Sequence, residues 1–310
     1  MDFIKGITFA PFAHRGTFEK EETFESLRVM KERTHADTVI FVPGGVQDTP
    51  HSEQIEYDHE YNVTDEELIR MIDYAKSIGL KVILKPTVNC KDGTWRAHIS
   101  FFDHDVPCEP KWGPWFESYT GFQLHYAAIA ENMKCDMFIA GCEMVMTEHR
   151  EQQWRQLISD IRGVYSGLVS YNTDKYQENQ IRWWDCVDVI SSSGYYPIDD
   201  WDNQLDRIEM VVKEFNKPFF FAECGCMSTV GSNLVPNNWE VRGNVDLQGQ
   251  ADWFKVMTEA VDKRDWVNGM AVWSWHSKLY PKIEAADHPY YEIYEKPACD
   301  VIDEYYRKQR

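Results

Sequence analysis

Short apolar runs rich in β-branched and aromatic residues alternate along this chain with longer segments in which apolar residues recur at helical spacing. That alternation is typical of βα units and predicts a parallel sheet. The predicted strands are residues 3–9, 38–42, 81–87, 136–141, 167–171, 187–191, 218–222 and 269–275. The predicted helices are residues 22–33, 64–79, 115–133, 148–162, 176–184, 201–215, 247–263 and 298–310. Eight strand–helix pairs predict the α/β fold class with a single (β/α)8 TIM barrel.

The boundaries between these elements carry local signals. In TDEELIRMIDYAKSIG, Thr64 and Glu67 predict a capping box at the start of a helix, and Gly79 predicts its end. Long segments follow several strands, at the face where barrels build their sites: residues 43–62, 89–114, 224–246 and 276–296. Because no linker, low-complexity tract or repeat interrupts the order, residues 1–310 are expected to form one catalytic barrel domain.

Composition narrows the class of ligand. The formal net charge of -19 repels phosphates and anionic lipid surfaces, so neither a nucleic acid nor a membrane is expected as a partner. Aromatic residues make up 14% of the chain, and their rings are the side chains that pack against the apolar faces of sugars. An aromatic-rich core fits the same composition equally well.

The first residues and the cysteines suggest a cytoplasmic protein. Asp2 stands where a signal peptide has basic residues, and the apolar run after it is short for a signal. The eight cysteines are dispersed, several of them inside apolar runs, and are expected to be reduced thiols. Their positions are Cys90, Cys108, Cys135, Cys142, Cys186, Cys224, Cys226 and Cys299.

Two glutamates follow apolar strands directly. Glu143 comes after the fourth predicted strand, in FIAGCEM, and Glu223 comes after the seventh, in PFFFAECG. Catalytic residues of barrel enzymes lie at such strand ends, so the two carboxylates are expected to face each other across the mouth of the barrel. Facing carboxylates, one protonated and one ionised, are what hydrolysis of a glycosidic bond requires.

Aromatic residues at the ends of neighbouring strands are candidate binding residues. Tyr195 and Tyr196 follow the sixth strand, and a hydroxyl there is expected to donate to Glu223 and keep it ionised. Trp273 and Trp275 are two residues apart on the eighth strand, so both are expected to point to the same side and one to underlie a sugar. Packing in the barrel rim or core is the alternative for all four.

Three polar residues complete the predicted site. Lys85 is a charge inside the third strand, where the barrel interior otherwise takes apolar residues, and is expected to donate to a sugar hydroxyl or a catalytic carboxylate. Asn172 ends the fifth strand and is expected to contact a hydroxyl. His14 follows the first strand and is expected either to contact sugar or to belong to a hydrogen-bonded rim.

Other chemistries have weaker support in the sequence. The segment HISFFDHDVPCE concentrates possible metal ligands, but the first strand, GITFA, lacks the H-x-H of metal-dependent barrel hydrolases. Cys224 and Cys226 are not spaced as C-x-x-C, and no G-x-S-x-G motif occurs. We therefore expect no metal and no cofactor.

Across nearly its whole length the chain resembles glycoside hydrolase family 113, a family of mannan-degrading barrels of clan A. The segments that carry the resemblance are LKPTVN, GTWRAHI, WGPWFESYTGF, SYNTD, VDVISSSGYYP, KPFFFAECGCMS and VWSWH. The resemblance implies that Glu143 is the acid/base, that Glu223 is the nucleophile and that the anomeric configuration is retained. It also implies that Trp95 and Arg96 form part of the glycone side of the cleft, although a surface cation is an alternative for Arg96.

The chain departs from clan A at one position, because Cys142 stands before the acid/base where most members have Asn. Since a thiol is a weak donor, Asn172 or Lys85 is expected to take over the contact with the sugar 2-hydroxyl.

The predicted function is a retaining endo-β-mannanase that acts on β-mannan or manno-oligosaccharides, with 1,4 linkages favoured. A β-1,3-mannanase, an exo-acting β-mannosidase and another clan A β-glycosidase are alternatives. A sugar-binding barrel without catalysis is the non-enzyme alternative, and the paired glutamates disfavour it.

Overall fold

Eight parallel strands form a closed barrel in a computed structural model, which describes residues 1–309. The strands are β1 Ile4–Phe9, β2 Thr38–Phe41, β3 Gly44–Gln47, β4 Lys81–Leu84, β5 Thr87–Cys90, β6 Met137–Cys142, β7 Leu168–Thr173, β8 Val189–Gly194, β9 Phe219–Cys224 and β10 Val267–Trp275. Around the barrel the order is β1, β2, β4, β6, β7, β8, β9 and β10, and β10 pairs with β1 to close it. The predicted (β/α)8 barrel is confirmed.

In the described part of the chain, an α-helix lies between consecutive barrel strands at every step from β1 to β10 except between β7 and β8, and the helices cover the outside of the barrel. They are α1 Glu21–Thr34, α2 Asp65–Ser77, α3 Trp112–Asn132, α4 Glu151–Val164, α5 Trp201–Phe215, α6 Leu247–Val261, α7 Lys282–Ala285 and α8 Pro297–Lys308. The capping box of α2 is confirmed, since the side chains of Thr64 and Glu67 each accept from the other's backbone N–H. Gly79, with φ of +79°, follows the helix end. Within residues 1–309, none of the helices combines the length and the apolar character needed to cross a bilayer.

Two prolines shorten the barrel strands on one side. Pro43 follows β2 and Pro86 follows β4, and a proline has no N–H to donate to a sheet. The predicted strand 81–87 is therefore divided into β4 and β5. The chain continues after each proline as a further short strand, β3 after β2 and β5 after β4. These two strands pair in parallel as a small separate sheet beyond the end of the barrel. Lys85, at the division, directs its side chain to Glu223 on the far side of the barrel.

The predicted helix over residues 176–184 is wrong. This segment forms turns that end in a short 3-10 helix, Trp184–Cys186. The indole N–H groups of Trp183 and Trp184 donate to the backbone oxygens of Glu148 and Glu178, at 3.1 and 2.8 Å. Glu178 itself is fully buried and accepts from Ser192 and Arg207. Glu178 and both indoles are fully buried, and this favours the irregular path over an amphipathic helix, which would keep one face in solvent.

Apolar side chains divide into two clusters. The smaller fills the inside of the barrel with residues from the strands alone: Ile4, Ile40, Ile83, Met137, Ile139, Val189, Phe220, Ala222 and Ala271. The larger lies between the barrel and its helices. Toward the carboxyl ends of the strands the inward-facing residues become polar, so the apolar interior supports a polar layer above it.

Candidate active site

Glu143 and Glu223 come together in this polar layer, with side chains almost wholly enclosed. One carboxylate oxygen of each lies within 4.8 Å of the other. Glu143 is the residue after β6 and has φ of +53°, in the left-handed region, while its N–H donates to the oxygen of Asn172 on β7 at 2.8 Å. A non-glycine residue in this region costs roughly 1 to 3 kcal/mol and is typical of functional sites.

Glu223 is surrounded by donors. Its Oε1 accepts from the Lys85 ammonium and from the Cys142 thiol, the latter at 3.2 Å, and its Oε2 accepts from the Tyr195 hydroxyl at 2.8 Å. Burial alone would raise the pKa of Glu223, but Lys85, Arg96 and the Tyr195 hydroxyl together lower it below its ordinary value. Glu223 is therefore ionised at neutral pH.

Glu143 has a different set of partners. Its Oε2 accepts from the indole of Trp95 and from Arg96, each at 3.1 Å, and its Oε1 accepts from the hydroxyl of Ser193 at 2.8 Å. The guanidinium of Arg96 is mostly buried, with 11% of its side chain exposed. The structure thus places Arg96 in the site and not on an open surface, and brings Trp95 against the same carboxylate.

Asn172 connects the two halves of the site. Its amide oxygen accepts from Lys85 at 3.4 Å, and its amide nitrogen donates to Ser193 at 3.0 Å and to the backbone of Thr173 at 2.9 Å. Asn172 and Lys85 both have no exposed surface. Lys85 donates to the carboxylate of Glu223, which is one of the two partners expected for it. The expected contact of Asn172 or Lys85 with a sugar hydroxyl stays a prediction, and both polar atoms of the Asn172 amide also have partners within the protein.

Aromatic rings surround the carboxylates. Trp273 lies beside the Lys85 ammonium, 5.5 Å from its ring centroid, and packs edge-on against Phe12. Phe12 is 57% exposed and follows β1. His14 is exposed and packs on Tyr61, and its contact with a sugar stays a prediction.

The loop after β9 adds a further ring that is open to solvent. Trp239 is 53% exposed, and its ring centroid lies 6.1 Å from that of Trp95. The loop after β10 contacts the loop after β9, because Tyr291 donates to the backbone oxygen of Pro236 at 2.6 Å. The Tyr291 ring also packs edge-on against Tyr195. The two loops therefore meet beside the nucleophile candidate.

Two of the predicted aromatic residues lie outside the site. Trp275 is fully buried and donates to Ser26 on α1, so the expectation that it shares a side with Trp273 is wrong. The register between β1 and β10 shifts at this point: Thr8 lies opposite Trp273 and Phe9 lies opposite Trp275. A bulge of one residue breaks the alternation of the strand. Tyr196 is likewise buried on the outer side of the barrel, where its hydroxyl donates to Glu178.

Sequence reasoning did not find Ser193, Trp239 or Tyr291. Ser193 belongs to a run of three serines, and only the barrel decides which of them faces inward. An aromatic residue in a long loop after a catalytic strand was a usable signal for Trp239. Sequence reasoning also missed Asp174, which lies near Glu143. Burial raises the pKa of Asp174 to about 7, and the negative charge of Glu143 acts in the same direction.

The carboxylates are also the candidate metal ligands among residues 1–309. Cys142, Glu143 and Glu223 each offer a donor atom within 4.8 Å of the others. Lys85 and Arg96, however, place a cation against each carboxylate, and burial raises the pKa of the Cys142 thiol well above its ordinary value. These positive charges and the neutral thiol do not fit a cation site. In the segment HISFFDHDVPCE, Asp103 contacts His149 and Arg150 instead.

Comparison with known proteins gives matches over nearly the whole chain. The family model of Glycoside Hydrolase Family 113 matches residues 7–296. The chain is similar to two solved structures of a family 113 β-1,4-mannanase, one of them a complex, each with 55% sequence identity and a TM-score of 0.98 over 99% of this chain and 100% of the other. It is also similar to the family 113 β-mannanase AaManA from Alicyclobacillus acidocaldarius, solved in complex with ManMIm, with 39% identity and a TM-score of 0.96 over 100% of this chain and 99% of the other.

A β-glucuronidase from Ruminococcus gnavus has 13% identity and a TM-score of 0.67, over 98% of this chain and 50% of the other, which shows a common fold alone. No match was found among curated proteins.

Proposed function

Because this chain belongs to glycoside hydrolase family 113, we propose that it is a retaining β-mannanase in which Glu143 is the acid/base and Glu223 the nucleophile. The observation that carries the proposal is the pair of buried carboxylates with oxygens within 4.8 Å. Retaining enzymes have carboxyl groups about 5–5.5 Å apart, whereas inverting enzymes leave a wider gap for a water molecule.

In the first step, Glu223 attacks the anomeric carbon while Glu143 gives its proton to the departing glycosidic oxygen. The bond between the anomeric carbon and that oxygen breaks, and an ester forms between the sugar and Glu223. Tyr195 and Lys85 orient the two oxygens of Glu223 for this attack. They also stabilise its charge before the substrate binds.

In the second step, the ionised Glu143 takes a proton from water, which attacks the anomeric carbon and releases Glu223. Each step inverts the anomeric centre, so the product keeps the configuration of the substrate. Arg96 and Trp95 stabilise Glu143 while it is ionised, since both donate to its Oε2.

The rings around the site support a carbohydrate chain as substrate. Trp273 lies next to Lys85, the cation that contacts Glu223. Trp95 and Trp239 extend an aromatic surface from Glu143 toward solvent. Such rings pack against the axial hydrogens of sugars. The relatives at 55% identity are described as β-1,4-mannanases, which favours 1,4-linked mannan or manno-oligosaccharides over the 1,3 linkage. We further propose endo action by one cytoplasmic catalytic domain.

Product analysis tests the proposal. Purified protein is incubated with β-1,4-mannan, β-1,3-mannan, β-1,4-glucan and reduced manno-oligosaccharides, and the products are followed over time. We expect internal cleavage of 1,4-linked mannan with early release of mixed oligosaccharides. Release of mannose alone from chain ends would instead indicate an exo-acting β-mannosidase. Binding of these sugars without any hydrolysis would indicate a sugar-binding barrel.

A further inference from the structure

The hydrogen bonds of Glu143 leave one place for a proton. A carboxylate has about four lone-pair positions, two on each oxygen. Trp95 and Arg96 occupy both positions on Oε2, each at 3.1 Å. Ser193 occupies one position on Oε1, at 2.8 Å. The remaining position on Oε1 is therefore where Glu143 can carry the acid proton without displacing a donor.

The direction of the Ser193 hydroxyl is determined by its other neighbour. Asn172 donates an amide hydrogen to the Ser193 oxygen at 3.0 Å, so the serine hydrogen is directed to Glu143. The amide oxygen of Asn172 in turn faces Lys85, at 3.4 Å. A chain of buried hydrogen bonds thus runs from Lys85, which contacts the nucleophile, to Glu143.

We propose that Ser193 is a positioning residue that stabilises the ionised form of Glu143 and keeps the acid proton on Oε1. This inference rests on the proposed function, in which Glu143 is the acid/base. When Glu223 becomes an ester in the first step, it loses the charge that attracts Lys85. The lysine then interacts more strongly with Asn172, which polarises the bond from Ser193 to Glu143. This happens at the stage when Glu143 has lost its proton and must act as a base.

Ser192 provides a matched control. It is the preceding residue on β8, is equally buried, and donates to a buried glutamate, Glu178, at 2.6 Å. Its side chain points to the outer side of the barrel. Ser192→Ala therefore removes the same kind of hydrogen bond without touching the site.

The other charged and titratable groups that face Glu143 stay in place in both variants: Arg96, Cys142, Asp174, Tyr195, Glu223 and Tyr291. A change in the pH profile that occurs in Ser193→Ala alone is therefore due to the missing hydroxyl.

The experiment measures kcat/KM against pH on a manno-oligosaccharide for the wild type, Ser193→Ala, Ser193→Thr and Ser192→Ala. We expect Ser193→Ala to move the alkaline limb upward by about one pH unit, as loss of a hydrogen bond to a charged group predicts. On an activated aryl β-mannoside, for which the second step limits turnover, kcat of this variant should fall about tenfold. Ser193→Thr, which keeps the hydroxyl, and Ser192→Ala should keep the wild-type limb.

An unchanged alkaline limb in Ser193→Ala, with equal rate losses in the two alanine variants, would overturn the inference in favour of a structural role. Glu143→Ala separates this result from failure of the proposed function. If the inference alone is wrong, Glu143→Ala abolishes the alkaline limb on the aryl substrate while Ser193→Ala leaves it in place. If the limb persists in Glu143→Ala, Glu143 is not the acid, and the function and the inference both fall.

Discussion

The ammonium of Lys85 contacts Oε1 of Glu223 inside the barrel, where the lysine side chain has no exposed surface. The two residues are 138 positions apart in the chain and meet only because the barrel closes. A buried carboxylate without a cation would hold its proton to higher pH. Lys85 therefore determines that Glu223 is ionised when the substrate arrives.

The first prediction concerns Lys85→Met. In the wild type the pKa of Glu223 is lowered, so activity should persist as the pH falls below the ordinary range of a carboxyl group. Without the ammonium, burial dominates, and the acid limb of kcat/KM should move upward by at least about one pH unit. Lys296→Met is the control, since Lys296 is also buried but donates to Ser228 and to the backbone of Tyr290. An acid limb that stays in place would contradict the role of Lys85.

The lowered pKa of Glu223 also determines how Lys85→Met changes the free energy of unfolding with pH. A carboxyl group whose pKa is lowered on folding stabilises the native state at pH values above its unfolded pKa. That contribution disappears as the pH falls through the folded pKa of Glu223. Lys85→Met should therefore reduce the free energy of unfolding more at pH 7 than at pH 3, which urea titrations at the two pH values measure.

The second prediction concerns the two glutamates. Glu223→Ala should lower kcat on the order of 10⁴-fold or more, because no other group can form the ester. Glu143→Ala should lower activity about 10²- to 10⁴-fold on mannan but much less on activated aryl β-mannosides, and azide should rescue the latter. Kinetics on both substrates distinguish the two roles. Near-normal hydrolysis of mannan by either variant would exclude that residue as catalytic.

Glu148→Gln is a suitable control for these variants. Glu148 is buried and accepts from Tyr171 and Thr173 behind β7, outside the site. Burial raises its pKa to about 8, so at neutral pH it is largely a neutral acid that an amide can replace. The activity of Glu148→Gln should stay close to that of the wild type.

The third prediction is retention of the anomeric configuration. The carboxylate oxygens lie within 4.8 Å of each other. Inverting enzymes hold their carboxyl groups farther apart, about 6.5–9.5 Å, to admit a water molecule. Proton NMR during the first minutes of hydrolysis should show the β-anomer of the product before mutarotation. Early appearance of the α-anomer would require Glu223 to act as a general base.

The fourth prediction concerns Cys142. Its thiol donates to Glu223 at 3.2 Å, but a thiol is a weak donor beside Lys85 and Tyr195. Cys142→Ala should therefore lose no more than about fivefold in kcat/KM, corresponding to about 1 kcal/mol. Asn172→Ala should lose more than about tenfold, because it removes one buried partner from Lys85 and one from Ser193. Cys224→Ala, a buried thiol directed at the backbone of Ala271, is the control. A folded but inactive Cys142→Ala enzyme would contradict this account.

The fifth prediction concerns Trp239, the exposed ring beside Trp95. Trp239→Ala should raise KM for long manno-oligosaccharides roughly three- to tenfold, as the loss of one aromatic contact predicts. KM for a short aryl β-mannoside should change little, since such a substrate does not reach the ring. Trp239→Phe keeps a ring and should recover part of the loss. Equal effects on long and short substrates would indicate that Trp239 acts on the fold of the loop instead.

Local pattern was enough to predict the order of the elements and the position of the two glutamates. Glu143 and Glu223 are the first charges after apolar strands, and in a parallel barrel the carboxyl ends of all strands lie at one face. The hydrophobic pattern predicted the wrong structure where side chains form hydrogen bonds to residues of other segments. The turns at residues 176–184 follow from the burial of Glu178 and two indoles against other elements, which no property of that segment alone indicates.

The sequence by itself determined the barrel and the strand ends that bear its charges, because alternation, helical spacing and turn residues act over a few neighbouring positions. Only the tertiary structure decided which member of each pair of candidate residues faces the site. The inward-facing residues are Ser193, Tyr195 and Trp273. The outward-facing ones are Ser192, Tyr196 and Trp275. For Trp275 the physical reason is the register shift between β10 and β1, since a single extra residue reverses the side to which later side chains point. In β8 the sides alternate without interruption from Val189 to Ser193 and Tyr195, so closure of the barrel decided only which of the two sides is the inner one.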